Sequence, residues 1–174
     1  MCLLIGPPGV GKTLLMKRMQ NCTSKGTFEN LHEIPATIPT VGTNMVSVLL
    51  SKKIDIVIRE LGGCMGPIWH SYFRDTEYLM YMIDLNNRQQ ISAACIQLLT
   101  ILQDKQLTNT PVLLLLNKID MATIMSRPEF ENYLRLEEII QYSTQNITVH
   151  EISAWNGKGL EEILRWLQAN YKPR

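Results

Sequence analysis

The stretch GPPGVGKT at residues 6–13 decides the fold. It follows the apolar run CLLI at 2–5 and opens TLLMKRMQN at 13–21, which has the spacing of an amphipathic helix. A strand, this loop and a helix in that order match the phosphate-binding pattern G-x-x-x-x-G-K-[ST] in its expected context. We therefore predict that backbone N–H groups and the helix N-terminus face nucleotide phosphates, that Lys12 reaches the β- and γ-phosphates, and that Thr13 ligates Mg²⁺. The predicted binding residues of the loop are Gly6, Gly9, Val10, Gly11, Lys12, Thr13 and Leu14.

Outside this loop, apolar runs alternate with helical patterns along most of the chain. Continuous apolar strands that are each followed by an amphipathic helix indicate a parallel sheet covered on both faces. We therefore predict an α/β fold with three layers, that of a P-loop NTPase. The predicted strands are 2–5, 77–85, 111–117 and 147–152, and the predicted helices are 13–21, 91–103, a helical region ending near 142, and 160–169.

The pattern changes between the first helix and the second apolar run. Residues 22–43 hold glycines, prolines and scattered polar residues, which predict a long loop, and loops of this length in compact domains are usually functional. The runs 44–50 and 54–60 predict an antiparallel hairpin that turns at Ser51-Lys52-Lys53. The sheet is therefore expected to have six strands, mostly parallel, with one antiparallel strand at its edge.

Size and composition indicate one globular domain over residues 1–174. Lys+Arg number 17 and Asp+Glu 16, a formal net charge of +1, so no basic surplus points to nucleic acid. The four cysteines form no C-x-x-C pair, which excludes the common zinc and redox motifs and favours reduced thiols. No apolar run, Val112 to Leu116 included, is long enough to span a membrane. The histidines show no spacing that indicates a metal site; they are His32, His70 and His150.

A second motif, NKID at residues 117–120, selects the base. It follows the apolar strand at 111–117 and so lies at the carboxyl edge of the sheet, where such folds bind ligands. The Asp120 carboxylate can accept from both N1–H and the exocyclic amine of guanine, a pair that adenine lacks, while the Lys118 stem can lie over the ring. These features predict GTP or GDP as the nucleotide. The predicted base-binding residues are Asn117, Lys118, Asp120, Ser153 and Ala154, the last pair offering a backbone amide to guanine O6.

With both motifs in place, the sequence resembles the Ras-like small GTPases over nearly its whole length. Within them, PTVGTN at 39–44, ELGG at 60–63 and IWHSYF at 68–73 resemble the ADP-ribosylation factor (Arf) branch. The resemblance implies a G domain in which Thr40 is the switch I threonine that closes on Mg²⁺ and the γ-phosphate. It also implies that Gly63 is the switch II glycine whose N–H meets that phosphate. The candidate catalytic residues are thus Lys12, Thr40 and Gly63, and the candidate metal-site residues are Thr13, Thr40 and Glu60.

Three departures from the family pattern bear on hydrolysis. Cys64 stands where the family carries the glutamine that orients the attacking water. The extra methylene of Glu60 should shift its carboxylate and weaken the coupling between the metal and switch II, and Pro8 contributes no N–H within the phosphate loop. All three changes weaken stabilisation of the transition state for hydrolysis. The residues that bind GTP in the ground state are retained. We therefore expect a GTP-state switch whose intrinsic hydrolysis is slow or depends on a partner.

The partner surface departs from the family pattern as well. Arf proteins tend to present three aromatic residues to effectors, and the matching positions here are Thr43, Arg59 and Tyr72. We expect an effector to bind the switches and the hairpin between them, with an acidic rather than a purely apolar pocket for Arg59. By the same resemblance Trp69 and Tyr72 are expected at an interface, and Phe73 is expected in the core.

The chain ends bear on membrane attachment. The sequence begins MCLLIG, with Cys2 where myristoylation needs a glycine, and ends YKPR without a prenylatable cysteine. We therefore expect a cytoplasmic protein with no direct lipid anchor, acting as a monomer or in a heteromeric complex. The resemblance implies a role in membrane or ciliary trafficking, with recruitment through partners.

Two alternatives stay open. The loop GPPGVGKT also resembles that of AAA-type ATPases, so an ATPase or a nucleotide kinase is the first, although YMIDLN at 81–86 lacks their acidic pair and the chain leaves no room for a helical lid. A scaffold that binds GTP without hydrolysing it is the second, motivated by Glu60 and Cys64. Competition by GTP against ATP separates the first, and partner capture in the GTP and GDP states decides the second.

Overall fold

The computed structural model describes residues 1–25, 36–51 and 54–172. Its strands are β1 (Cys2–Ile5), β2 (Thr43–Ser51), β3 (Ile54–Leu61), β4 (Tyr78–Asp84), β5 (Val112–Asn117) and β6 (Ile147–Glu151). They form one sheet in the order β2-β3-β1-β4-β5-β6, in which the β2–β3 pair is antiparallel and the other pairs are parallel. Residues 52–53 of the predicted turn and residues 26–35 of the predicted loop, among them His32, lie outside the described residues.

The described residues also form five α-helices and two 3₁₀ segments. The helices are α1 (Lys12–Lys25), α2 (Arg88–Leu102), α3 (Arg127–Leu134), α4 (Leu136–Tyr142) and α5 (Leu160–Asn170), and the 3₁₀ segments are Gly63–Asp75 and Lys105–Leu107. None of these helices is both long enough and apolar enough to cross a lipid bilayer.

Two apolar layers cover the sheet. Leu15 of α1 and Leu167 of α5 pack on one face, and Leu98 of α2 and Phe130 of α3 pack on the other. Every residue of β4 and of β5 is buried, as expected for strands with helices on both sides. The predicted three-layer α/β fold, with six strands and one antiparallel strand at the edge, is confirmed.

The first helix is longer than predicted, and the helical region that ends at 142 as predicted is divided in two. Helix α1 continues to Lys25, so residues 22–25 are helical rather than part of the predicted loop; Cys22 is buried and extends the apolar face of the helix by another turn. The helical region ending at 142 is two helices, because Arg135 between them has a left-handed backbone with φ of 54°.

The 3₁₀ segment Gly63–Asp75 corrects the expectation for Trp69. This side chain is only 3% exposed, and its ring meets the Tyr81 ring edge to face with centroids 6.5 Å apart. It is a core residue rather than an interface residue, since its indole N–H is also satisfied internally by the carbonyl of Gly62 at 3.2 Å. Phe73 is buried in the same cluster, which confirms its predicted place in the core.

Candidate functional site

The phosphate loop wraps around a buried lysine. Lys12 begins α1 and is only 5% exposed. Its Nζ donates to the carbonyl oxygens of Gly6 at 2.8 Å and Pro7 at 2.9 Å. These two backbone acceptors fix the ammonium at the start of the helix, where the free N–H groups and the helix dipole already favour an anion.

Close packing explains two of the loop glycines, Gly6 against backbone and Gly11 against a side chain. Gly6 has φ of 150°, and a Cβ there would lie 2.3 Å from the carbonyl oxygen of Met82. Gly11 has φ of 103°, and a Cβ there would lie 2.7 Å from Nδ2 of Asn117. The loop can therefore lie against the ends of β4 and β5 only because these positions lack side chains.

Burial lowers the pKa of Lys12 to about 8, while the nearby Glu60 and Cys64 act in the opposite direction. The ammonium thus carries a desolvation cost that its protein neighbours only partly offset. A phosphate anion beside Nζ would restore the charged form. The arrangement suits a site that binds a polyanion.

Three oxygens from three separate segments meet next to this lysine. The hydroxyl of Thr13 in α1 donates to Oε1 of Glu60 in β3 at 2.6 Å. The hydroxyl of Thr40 lies 3.0 Å from that of Thr13 and 3.2 Å from the same carboxylate oxygen. Hydroxyl and carboxylate oxygens are the ligands that Mg²⁺ prefers, so the predicted metal-site residues fit that cation. Among the described residues no group of three His, Cys, Asp or Glu side chains could hold a metal ion instead.

These residues border a cavity of about 320 Å³. Its size falls in the range of small-ligand pockets. The structure therefore brings together the phosphate loop and both predicted switch residues at one place. The lining includes Gly9, Gly11, Lys12, Thr13, Leu14, Thr40, Glu60, Gly63 and Cys64.

Backbone contacts hold Gly62 and Gly63, at the predicted switch II, against the phosphate loop and the predicted switch I. The N–H of Gly62 donates to the carbonyl of Gly42 at 2.9 Å, and a Cβ on Gly62 would lie 2.4 Å from the carbonyl oxygen of Thr40. Gly63 lies equally close to the backbone of Pro7 and Pro8. No side chain fits at either glycine, so the pair forms the contact between the segments.

The predicted base-binding residues form a separate network at the ends of β5 and β6. Nδ2 of Asn117 donates to the carbonyl of Val10 at 2.7 Å, which ties this strand end to the phosphate loop. Oδ1 of Asn117 accepts from the N–H of Ala154 at 3.0 Å. The amide predicted to meet guanine O6 is thus engaged by Asn117 in this structure. The hydroxyl of Ser153 donates to Oδ1 of Asp120 at 2.5 Å and orients the exposed carboxylate.

Two site residues were missed by sequence reasoning. Asp84, at the end of β4 and 5% exposed, accepts from Nζ of Lys118 at 2.5 Å and so fixes the lysine beside the base region. Arg18 of α1 donates from Nη2 to the carbonyl of Trp155 at 2.6 Å and steadies the loop after β6. Asp84 could have been predicted, because it is an acidic residue at the carboxyl end of an apolar strand, where such folds bind ligands. No local sequence pattern indicates a role for Arg18.

The three residues expected to limit hydrolysis, Pro8, Glu60 and Cys64, all border the cavity. Cys64 is exposed and lines it, as does Pro8. The carbonyl of Pro8 accepts from Nε2 of Gln90, in α2, at 3.1 Å. A glutamine amide is therefore present near the loop, but it is engaged with backbone.

Comparison with known sequences agrees with this geometry. Residues 1–171 match the model of the ADP-ribosylation factor family. The chain is 49% identical over 172 residues to ADP-ribosylation factor-like protein 16 of Homo sapiens, covering 99% of this chain and 86% of that protein. It is 29% identical over 174 residues to ADP-ribosylation factor-like protein 1 of Drosophila melanogaster, covering 99% of this chain and 89% of that protein.

Among solved structures, the chain is similar to the Arl6 BBS3 small GTPase from Trypanosoma brucei with bound nucleotide analogue GppNp. The TM-score is 0.78 over 97% of this chain and 95% of that one, at 17% sequence identity. At this identity the likeness supports the fold assignment.

Proposed function

Because the chain belongs to the ADP-ribosylation factor family of small GTPases, we propose that it is a guanine-nucleotide switch that binds an effector in its GTP state. The observation that carries this proposal is the meeting of Thr13, Thr40 and Glu60. Thr13 comes from the start of α1, Thr40 from the predicted switch I, and Glu60 from the end of β3, just before the predicted switch II glycine. A ligand that fills the adjoining cavity would act on all three segments at once.

The phosphate end would hold the nucleotide through Lys12 and the loop N–H groups, with Mg²⁺ held by the three oxygens. Mg²⁺, when bound, offsets the charge of the phosphate oxygens. Thr40 and the N–H of Gly63 would contact the third phosphate, so its loss would release both switches. The Asp120 carboxylate, oriented by Ser153, would accept from the guanine edge.

Competition binding tests the nucleotide assignment. Fluorescent GDP should bind the parent protein and be displaced by GTP but not by ATP, because adenine cannot offer two donors to Asp120. Lys12→Ala should weaken binding at least about 100-fold, which is about 2.7 kcal/mol. The matched control is Lys105→Ala. Lys105 lies in the 3₁₀ segment before β5, at the amino ends of the parallel strands and so away from the phosphate loop. Binding by Lys12→Ala within about threefold of the parent would overturn the proposal.

The ATPase alternative is the less supported reading. The acid at the end of β4, Asp84, is engaged by Lys118 and not by the phosphate loop. Displacement of the labelled nucleotide by ATP as well as by GTP would favour that alternative.

Effector binding would use the exposed face formed by switch I, β2 and the 3₁₀ segment. Apolar side chains stand out there, with Ile38 at 83% and Val41 at 91% exposure. Arg59 lies over the Tyr72 ring, 5.6 Å from its centroid, so a half-buried cation lies beside the 3₁₀ segment. Affinity capture with protein loaded with a non-hydrolysable GTP analogue, against a GDP-loaded control, should retain a partner only in the first state. Equal capture in both states would favour a non-switching scaffold.

We extend the proposal to recruitment by that partner to membranes or to a cilium, as a monomer or in a heteromeric complex. The tagged chain should then lose its membrane or ciliary location when the exposed switch face is altered. Fluorescence microscopy of the parent and of Arg59→Glu would measure this.

A further inference from the structure

We propose that the cavity beside Gln145 binds a small, neutral, mainly apolar molecule that carries one N–H or O–H group, and that Oε1 of Gln145 accepts from that group. This second site lies at the amino ends of the parallel strands, because Gln145 comes just before β6 and the 3₁₀ segment Lys105–Leu107 comes before β5. The nucleotide cavity lies at the carboxyl ends of the same strands and shares no lining residue with it. The inference therefore goes beyond the proposed function.

The first argument is a buried acceptor that the protein does not satisfy. Gln145 is 5% exposed, although its neighbours Thr144 and Asn146 are both exposed. Its Nε2 donates to the carbonyl of Leu102 at 2.9 Å and to that of Leu107 at 3.3 Å. Its Oε1 is the one buried side-chain nitrogen or oxygen atom, within residues 1–25, 36–51 and 54–172, that has no hydrogen-bond partner. A buried acceptor of this kind is costly unless a donor meets it.

A capping role explains only the donor half of this amide. Leu102 ends α2, and Nε2 of Gln145 satisfies one of the carbonyls that a helix leaves unpaired at its carboxyl end. The two donated bonds also fix which way the amide faces, since turning it over would place Oε1 against two carbonyl oxygens. A donor for Oε1 must therefore come from outside the described part of the chain.

The second argument is the cavity that Gln145 helps to line. Its volume is about 370 Å³, which lies within the range of small-ligand sites. Two helices border it with apolar side chains that stand one turn apart. They are Leu99 and Leu102 on α2, and Ile139 and Tyr142 on α4. Residues at this spacing share one face of a helix, so each helix supplies an apolar wall that suits a ring.

The third argument is that two other polar side chains of the lining donate inward. The hydroxyl of Ser143 donates to the carbonyl of Ile139 at 2.6 Å. The hydroxyl of Thr108 donates to the carbonyl of Lys105 at 2.9 Å. With Gln145, three lining residues thus offer acceptors to a molecule in the cavity. A ligand that brings a donor matches them.

The charges around the cavity do not select an ion. Asp104 and Lys105 both line it, and their formal charges cancel. Oδ1 of Asp104 is engaged as well, because it accepts from the backbone N–H of Gln106 at 2.9 Å. A neutral ligand is therefore expected.

Indole and 1-methylindole test the proposal, since they have nearly the same shape and only indole has an N–H donor. Each is titrated into the full chain labelled with nitrogen-15, and NMR follows the assigned side-chain amide signal of Gln145. Indole should shift this signal to saturation, and 1-methylindole should bind at least about tenfold more weakly because it leaves Oε1 without a donor. The amide signal of Gln90, which donates to the carbonyl of Pro8 at the phosphate loop, is the internal control and should not move.

A variant gives a second measurement. Gln145→Leu removes the acceptor and should bind the two probes equally. The matched control is Gln141→Leu, because Gln141 is exposed on α4 and does not line the cavity. A preference for indole that persists in Gln145→Leu would contradict the role of Oε1.

The parent protein decides the proposal even if Gln145→Leu does not fold. Equal affinity of the parent for both probes, or no saturable shift with indole, would overturn the inference and leave Oε1 to water alone. Neither result bears on guanine-nucleotide binding, which the competition assay measures separately.

Discussion

Gly63 lies so close to Pro8 that a Cβ on Gly63 would stand 2.3 Å from the Pro8 nitrogen. The contact joins switch II to the phosphate loop through backbone alone. Because the obstructing atoms are backbone, they cannot move aside as the end of a flexible side chain could. The closed arrangement of the two segments therefore requires glycine at this position.

Gly63→Ala is expected to open this contact. Overpacking at a rigid site costs about 1–3 kcal/mol, so affinity for a GTP analogue should fall roughly 5- to 150-fold while GDP affinity changes little. Isothermal titration with both nucleotides measures the difference. Gly66→Ala is the control, because a Cβ there would meet only the end of the Gln97 side chain at 3.3 Å. Equal losses for both nucleotides would contradict a role specific to the third phosphate.

Nucleotide binding is expected to take up protons near pH 8. Burial places the pKa of Lys12 at about 8 in the free protein, so about half of the molecules carry a neutral amine at that pH. Bound phosphates favour the ammonium and raise its pKa, so GDP binding should take up about 0.5 proton at pH 8 and about 0.1 at pH 7. Titration calorimetry in buffers of different ionisation enthalpy gives these values. A net release of protons at pH 8 would show that the sign is wrong.

Asp120→Asn is expected to relax the choice of base. The variant removes the acceptor for guanine N1–H and the amine, while its new amide can donate to the C2 oxygen of xanthine. Competition titrations should show a loss of GDP affinity and a gain for xanthosine diphosphate. Ser153→Ala is a useful comparison, since it removes only the hydroxyl that orients the carboxylate at 2.5 Å. Full retention of guanine preference by Asp120→Asn would refute the assignment.

The double variant Thr43→Phe with Arg59→Trp is expected to weaken binding of the chain's own effector. It restores aromatic residues of the family pattern and removes the cation that lies over Tyr72. Partner recovery in affinity capture with a GTP analogue should fall, while nucleotide affinity should not. Arg165→Ala in α5, whose ion pair is with Glu161, serves as the control. Unchanged recovery would place the interface on another surface.

Intrinsic hydrolysis is expected to be slow, at or below about 10⁻⁴ s⁻¹. Cys64 borders the cavity but has only a thiol, which is a weak donor and a weak acceptor for positioning water. Cys64→Gln should restore little hydrolysis. The new amide would extend from an exposed position, and no neighbouring group would direct it at the attacking water. Single-turnover assays on the isolated protein measure the rate. A value at or above about 10⁻² s⁻¹ would contradict the expectation.

Local sequence was enough to predict most of the fold. The apolar runs at 2–5 and 111–117 became β1 and β5 within a residue, because a strand buried on both faces must be apolar throughout. The phosphate loop was equally readable, since its glycines and lysine act within one continuous segment. In each case the residues that determine the structure are neighbours in the chain.

Other features depended on contacts between distant residues. Trp69 was placed at an interface, but it is buried because Tyr81 and the Gly62 carbonyl meet it in the folded chain. The pairing of Asp84 with Lys118 likewise joins residues 34 positions apart. Neither contact leaves a periodic signal in the sequence.

The sequence by itself therefore determined the order of the elements, the phosphate loop and the choice of guanine as the predicted base. Only the tertiary structure decided how Thr13, Thr40 and Glu60 meet, and that Asn44 donates to Oε2 of Glu60. The physical reason is how far apart in the sequence the interacting residues lie. Hydrophobic periodicity and loop chemistry act over a few residues, whereas a cation site is assembled from side chains that sheet pairing and helix packing bring together.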